Sequence, residues 1–292
     1  MLLLTGATGT VGKPLLRQLT AAGAPVRCLV RDPARLPDRR ERVDVVHGDL
    51  ADPRSFADAV RGVDTVVHLA SPLRDQPGGS IESLTATATA QLVSAAEQAG
   101  VSRFVFFSVL GASTTSRARL LRAKAEAERA VIDSSLVHTI FAPAWVYDRD
   151  DPFVRMTAHL SLLPVMALAG PGNARFEPIW AQDVAACVLA ALSRETQAAG
   201  ERYELAGPEA LSYAEIVGAV LAAQHRRRRL VAVPTPLVRA GLRALQRALG
   251  PRAPATWDEV ELLQSSLLAA HGTADAERLG VRPRALREVL GS

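Results

Sequence analysis

The sequence predicts a doubly wound α/β fold, a parallel sheet covered by helices on both faces, with a small lobe added by the C-terminal half. Three observations predict it. Short, continuously apolar runs alternate with helix-period segments through the first half of the 292 residues, as strands buried on both faces do. Gly6, Gly9 and Gly12 stand between the first apolar run and the first helical one. After Pro143 the alternation loosens, which sets off residues 151–292 as a smaller lobe interwoven with the sheet of residues 1–150.

The elements follow in order. "MLLLTG" is a short apolar strand, and "VGKPLLRQLTAAG" a helix. "PVRCLVR" and "VDVVHGDL" are the next strands, then the helix "DPRSFADAVRG" and the strand "VDTVVHLAS". Two long helical patterns, "SIESLTATATAQLVSAAEQAG" and "RARLLRAKAEAERAVIDSS", lead to the strands "VSRFVFFSV" and "LVHTIFAP". Farther on, "DDPFVRMTAHLSLLPVMALAG" reads as a helix and then an irregular apolar stretch. "IWAQDVAACVLAALSR" is a helix whose cap is Asp183, "ERYELAG" a strand, "SYAEIVGAVLAAQ" a helix capped by Ser212, and "RLVAVP" a further strand. The tail from Pro234 is helical, broken by Pro and Gly.

Composition narrows the function classes. Hydrophobic residues make up 48% and charged residues 22%, with 34 basic against 30 acidic side chains. That is ordinary for a soluble globular protein, and no nucleic-acid partner is expected. The run "HRRRR", His225–Arg229, reads as a solvated loop, with a phosphate or nucleic-acid contact as the alternative. Cys28 and Cys187 lie in apolar contexts as core residues. The longest apolar run is broken by Pro164, so no membrane span is expected. The start shows no leader pattern, which predicts a cytoplasmic protein. No His, Cys or Asp cluster has metal-ligand spacing.

The glycine spacing carries chemistry. Gly6 allows a sharp turn, Gly9 lets backbone approach a pyrophosphate, and Gly12 allows close packing of helix on strand. The amides of the "GATGTVG" turn, including those of Thr8, Thr10 and Val11, then face the phosphates at the helix N-terminus. Arg31 ends the second strand, where an NAD site wants a carboxylate, and its guanidinium suits a 2′-phosphate, so NADP(H) is the expected cofactor. Arg35 stands near enough to assist.

The spacing Gly-x-x-Gly-x-x-Gly and "TGATGTVG" resemble the short-chain dehydrogenase/reductase superfamily, most closely its atypical, NmrA-like and quinone-reductase-like branches. The resemblance implies a Rossmann-type sheet and a role for further residues. Asp49 and Leu50, in "HGDL", would meet the adenine, and Leu69, Ala70 and Ser71, in "HLAS", the adenosine ribose and phosphates. Lys124, one of only two lysines, matches the lysine of the family's Tyr-x-x-x-Lys motif and would hold the nicotinamide ribose. Ser108 matches the serine that orients a substrate oxygen. His68 reads as a core histidine.

One departure matters: Leu120 stands where the family has its tyrosine, and leucine moves no proton. Three readings stay open. The reaction needs no protein acid, as in hydride transfer to a quinone; or another residue, with Tyr147 of "AWVYD" the candidate, donates the proton; or the protein binds the dinucleotide without turning it over. Isoflavone-reductase-like relatives keep the lysine without the tyrosine and still reduce. The expected function is an NADPH-dependent reductase of a hydrophobic quinone-, enone- or aromatic-type small molecule, bound beside the apolar segment Phe153–Phe176, in a monomer or homodimer. The alternative is a non-catalytic NADP(H)-binding regulator or assembly subunit.

Overall fold

The computed structural model describes residues 1–36, 43–193, 198–250, 253 and 255–291. Its centre is a seven-stranded, all-parallel sheet, and the expected doubly wound fold is what the chain adopts.

The first strand, β1 (Leu2–Thr5), is an apolar run with both faces covered. It feeds α1 (Gly12–Ala21), whose Leu15, Leu16 and Leu19 all face inward at helical spacing. Next come β2 (Val26–Val30), β3 (Val43–His47), α2 (Arg54–Val60) and β4 (Thr65–His68). A π-helical turn over Ser83–Thr87 opens α3 (Ala88–Gln98), followed by β5 (Arg103–Phe107), α4 (Arg119–Ile132) and β6 (Val137–Pro143).

In the second half stand β7 (Val146–Tyr147), α5 (Pro152–Leu160), β8 (Val165–Ala169), β9 (Arg175–Phe176), β10 (Ile179–Trp180) and α6 (Ala181–Ser193). They are followed by β11 (Arg202–Leu205), β12 (Leu211–Ser212), α7 (Tyr213–Ala223), β13 (Arg229–Val233) and α8 (Thr235–Leu249). Three short helices close the chain: α9 (Trp257–Leu262), α10 (Ala274–Arg278) and α11 (Leu286–Leu290).

The strand order is β11-β6-β5-β4-β1-β2-β3. It reverses between β1 and β4, and a ligand crevice opens outside the carboxyl ends at such a switch point. One face of the sheet is covered by α1 and α6, whose Leu15, Leu19, Val184, Cys187 and Val188 share a core with Leu4 and Val105. The opposite face is covered by α2, α3 and α4, through Phe56, Leu92, Val93, Ala127 and Val131 against Leu3, Phe104 and Ile140. Both Cys28 and Cys187 are buried free thiols.

The lobe has its own core, in which Trp145 contacts the rings of Phe153 and Phe176 edge-on at 4.7 and 5.3 Å. It is laced by three two-stranded pairs, β7 with β10, β8 with β13 and β9 with β12. Here the sequence reading needs correction. The stretch after α5 is not irregular, because Val165–Ala169 forms β8 and pairs in parallel with β13. Its only visible signal is the alternation of exposed Val165 and Ala167 with buried Met166 and Leu168, which an unbroken apolar run conceals. Nor does Asp183 cap α6. Its carboxylate accepts from the Arg284 backbone amide at 2.9 Å and from the guanidinium at 3.3 Å, fastening the tail to the helix. Ser212 does cap α7, in a reciprocal capping box with Glu215.

The Arg226–Arg229 run is only half solvated. Arg226 donates to the Ala158 carbonyl at 3.0 Å and Arg228 to the Ser161 carbonyl at 2.7 Å, which satisfies carbonyls at the end of α5. Arg227 and Arg229 are exposed.

Candidate active site

The glycine turn lies at the switch point, and its geometry is set by contact. Gly6 has φ +75°, and a Cβ there would sit 2.8 Å from the Ala70 nitrogen. Thus the turn after β1 presses directly on the segment after β4. A Cβ on Gly12 would sit 2.0 Å from the Gly6 carbonyl oxygen, so only glycine lets α1 start this close to the strand. Gly9 is different. Its Cβ would meet only that carbonyl, at 3.2 Å, so the protein itself makes a weaker demand for glycine there. The first turn of α1 holds no acidic residue, and no side chain caps its amides. The amides of Lys13 and Leu15 already donate to the Gly9 and Val11 carbonyls and Pro14 has none, so what favours an anion at this end is chiefly the helix dipole.

Thr5 ties the two sides of the crevice together. Its backbone carbonyl accepts from Leu69, and its hydroxyl lies 3.3 Å from the Ala70 nitrogen and 2.7 Å from His68 Nδ1. Ser71 Oγ is 3.0 Å from Thr85 Oγ1 in the π-helical turn. The Asp49 side chain accepts from Ala51 N at 3.1 Å, and Leu50 packs half-buried on the core beside it. Arg31 is exposed and reaches Gln76 Oε1 at 3.5 Å, across the loop that follows β4. Asp32 turns away to accept from Ala34 N.

At the far side stands Lys124, buried on α4. Its ammonium donates to the Phe107 carbonyl at the end of β5, and Nζ lies 4.9 Å from the Phe106 ring centre. Burial pushes its pKa from 10.5 down to about 7, against a smaller upward pull from Glu128. Ser108, the next residue along from the Lys124 anchor, is buried, and its hydroxyl has no hydrogen-bond partner among the described residues. A buried hydroxyl without a partner is uncommon, and one at the carboxyl end of a central strand is poised to accept or donate to a ligand.

His68 lies between two hydroxyls, with Nε2 3.1 Å from Thr89 Oγ1. Its ring stacks on Phe106 at 5.9 Å. Burial, aided by the Lys124 charge, pushes its pKa down to about 3, so it is a neutral core histidine.

Leu120 is buried against Ile81 and Ala123, with Leu262 of α9 packed on the same group. The position that carries a tyrosine in the resembled family therefore faces an apolar wall completed by the C-terminal tail. Tyr147 belongs to the lobe core with Trp180 and Tyr213. Its hydroxyl is buried without a hydrogen-bond partner among the described residues, and burial followed by the Asp183 carboxylate raises its pKa.

Sequence reasoning missed a clamp beside the site. Arg119, one residue before Leu120, donates to Asp75 at 2.9 Å and Glu82 at 2.7 Å and pairs with Asp258 of α9 at 3.5 Å. Arg74 reinforces it through Glu259 at 2.7 Å and the Ala253 carbonyl. Together these arginines draw α9 over the loop after β4. No local pattern announces them, since the partners lie up to 185 residues apart in sequence. Among the described residues, no group of His, Cys, Asp and Glu is arranged to hold a metal.

Comparison with known proteins agrees with this geometry. A sequence profile described as NAD(P)H-binding matches residues 6–195. The chain is 31% identical over 239 residues to an NAD(P)H azoreductase of Xenophilus azovorans, covering 80% of this chain and 77% of that protein. It is 32% identical over 251 residues to the mitochondrial NADH dehydrogenase [ubiquinone] 1 alpha subcomplex subunit 9 of Arabidopsis thaliana, spanning 80% of this chain but 60% of that one. An NADPH-dependent quinone oxidoreductase of Escherichia coli, solved with NADPH, superposes with a TM-score of 0.77 at 22% identity, over 100% of this chain and 99% of that one.

Proposed function

The chain belongs to the NAD(P)H-binding family, and on that premise we propose that it is an NADPH-dependent reductase of a hydrophobic, quinone-like or other conjugated small molecule. The observation that carries the reading is the pairing of a buried, unpartnered Ser108 hydroxyl with a buried Lys124 anchored on the adjoining carbonyl. The buried ammonium costs the fold more than its hydrogen bond returns and the buried hydroxyl is left without a bond, and a ligand with oxygen atoms completes both.

The residues present fit a dinucleotide. Gly9 and the uncapped start of α1 suit a pyrophosphate, and Arg31 suits a ribose 2′-phosphate. Bound here, reduced nicotinamide supplies hydride. Lys124 donates to the ribose hydroxyls, and Ser108 donates to an acceptor oxygen and fixes its position. Leu120, Ile81 and Leu262 exclude water from that corner without moving a proton. A quinone or enone reduced this way forms a stabilised oxyanion, which takes its proton from solvent once it leaves the site, so the missing tyrosine costs such a reaction little. The azoreductase relative supports a conjugated acceptor.

A second reading, a dinucleotide-binding assembly subunit without turnover, is favoured by Leu120 and by the likeness to a respiratory-complex subunit. The two separate in one experiment. Calorimetric titration with NADPH and NADH is followed by NADPH oxidation against a panel of quinones and azo dyes, for the wild type and Ser108→Ala. Reductase function predicts tighter NADPH binding, turnover with some members of the panel, and a kcat loss in Ser108→Ala with NADPH affinity kept. Tight NADPH binding with no oxidation across the panel favours the subunit reading, and binding of neither nucleotide refutes both.

A further inference from the structure

Two stretches of the chain, residues 152–176 and 216–257, contain no carboxylate side chain. Between them they carry ten of the chain's 34 basic residues, so the remainder is acidic, with 24 basic against 30 acidic residues. The fold brings the two stretches together. β8 pairs with β13 so that Val165 stands beside Arg229 and Ala167 beside Val231. Arg226 and Arg228 grip the carbonyls of Ala158 and Ser161, and so hold the turn that leaves α5.

That turn projects apolar side chains into solvent. Leu162 is 67% exposed and Leu163 55%, and Leu160 before them and Val165 after them are exposed as well. Val231 continues the apolar surface, since the register puts it on the same face of the strand pair as Val165. Single exposed leucines need no explanation, but two in succession on a firmly held turn do. Around them Arg155, Arg227 and Arg229 are exposed. On α8, no residue of which is buried, Arg243 and Arg247 are exposed too.

We propose that the Leu162–Leu163 turn docks this lobe on an anionic lipid surface, the leucines entering the headgroup layer while Arg155, Arg227 and Arg229 pair with lipid phosphates. The surface is a protruding turn and not a groove, which suits a fluid layer better than a rigid partner. Neither stretch sets a carboxylate of its own against this positive charge, and a negatively charged leaflet is its complement. No helix among the described residues is long and apolar enough to cross a membrane, so the contact is peripheral. It requires nothing of the dinucleotide site.

The test is co-sedimentation with vesicles of phosphatidylcholine alone and of phosphatidylcholine with phosphatidylglycerol. It compares the wild type with the pairs Leu162→Ser/Leu163→Ser and Arg227→Ser/Arg229→Ser, and thermal melts check folding. Wild type binds the anionic vesicles and releases them as salt rises. Each pair lowers the vesicle partition constant on the order of tenfold, with melts unchanged because the side chains are exposed. Equal vesicle binding by the leucine pair overturns the proposal. So does a leucine-dependent dimer that ignores vesicles, or binding to a soluble polyanion that matches the vesicles and ignores the leucines.

Discussion

Replacing Lys124 by methionine should make the ligand-free protein more stable and nearly unable to hold NADPH. The reasoning starts from the site where burial pushes the ammonium from 10.5 to about 7. At about 1.4 kcal/mol per tenfold change, carrying that charge into the fold costs about 4 kcal/mol at neutral pH. Methionine removes this cost. It also strips the Phe107 carbonyl of its donor, which returns about 1–3 kcal/mol. The net gain is about 2 kcal/mol, a rise of about 4 °C in melting temperature. The sign with pH is specific. Between about 7 and the unfolded value of 10.5, the unfolded chain binds a proton that the folded wild type does not, so wild-type stability rises with pH. The advantage of Lys124→Met should therefore shrink by about 1–2 kcal/mol from pH 7 to 8.5. Measurements should stop there, because Cys28 and Cys187, held up to about 12 by burial, lower stability of both proteins above pH 9. Urea melts across this range supply the stabilities, and NADPH titration supplies the affinity, expected to fall tenfold or more. If Lys124→Met is less stable at pH 7 and the difference ignores pH, the lysine is a structural tie and the ligand argument fails.

Other expectations follow from the same geometry. Gly12→Ala, with its Cβ at 2.0 Å from the Gly6 carbonyl, should lose more than about 3 kcal/mol in a urea melt, whereas Gly9→Ala should fold nearly normally yet bind NADPH on the order of tenfold more weakly. Arg31→Asp should exchange the NADPH preference for NADH in parallel titrations, and an unaltered preference would remove Arg31 from the site. Wild-type stability should decline as pH falls from 6.5 toward 3, since the unfolded chain protonates a histidine that stays neutral in the fold; His68→Gln should flatten part of that slope. Leu120→Tyr should lose about 1–3 kcal/mol by overpacking against Ile81 and Leu262, and pairing it with Leu262→Ala should recover most of the loss in a thermal melt.

The sequence was informative wherever structure is local. Continuous apolar runs such as "LLLT" and "RFVFF" became central strands because two covered faces leave no polar alternation. The glycine spacing was legible because two of its three clashes, at Gly9 and Gly12, are with backbone a few residues away, whereas the contact of Gly6 with Ala70 was not. Lys124 stood out through its rarity and its helical position, and the fold buries it. Other features were hidden by distance. Leu262 reaches Leu120 from far along the chain, and two of the charges that meet Arg119 and Arg74, Asp258 and Glu259, lie in the distant C-terminal tail. A polar residue's isolation is equally invisible, for nothing in "FFSVLG" says that Ser108 ends without a partner. The packing of Tyr147 was equally hidden, for nothing in "AWVYD" says that its ring joins Trp180 and Tyr213 in one cluster.

The seating of β11 has a consequence for synthesis. It completes the sheet against β6, with Gly200 N donating to the His138 carbonyl and the Thr139 hydroxyl to the Ala198 carbonyl. Yet β6 ends at Pro143 and β11 begins only at Arg202. At about 5–20 residues per second, a nascent chain waits about 3–12 seconds with "VHTIFAP" as an open edge. That edge is apolar and β-branched, of the kind that recruits neighbouring chains. Protection during that interval therefore falls to whatever shields the chain on the ribosome, and a chain cut anywhere before Leu205 is left with a permanently adhesive border.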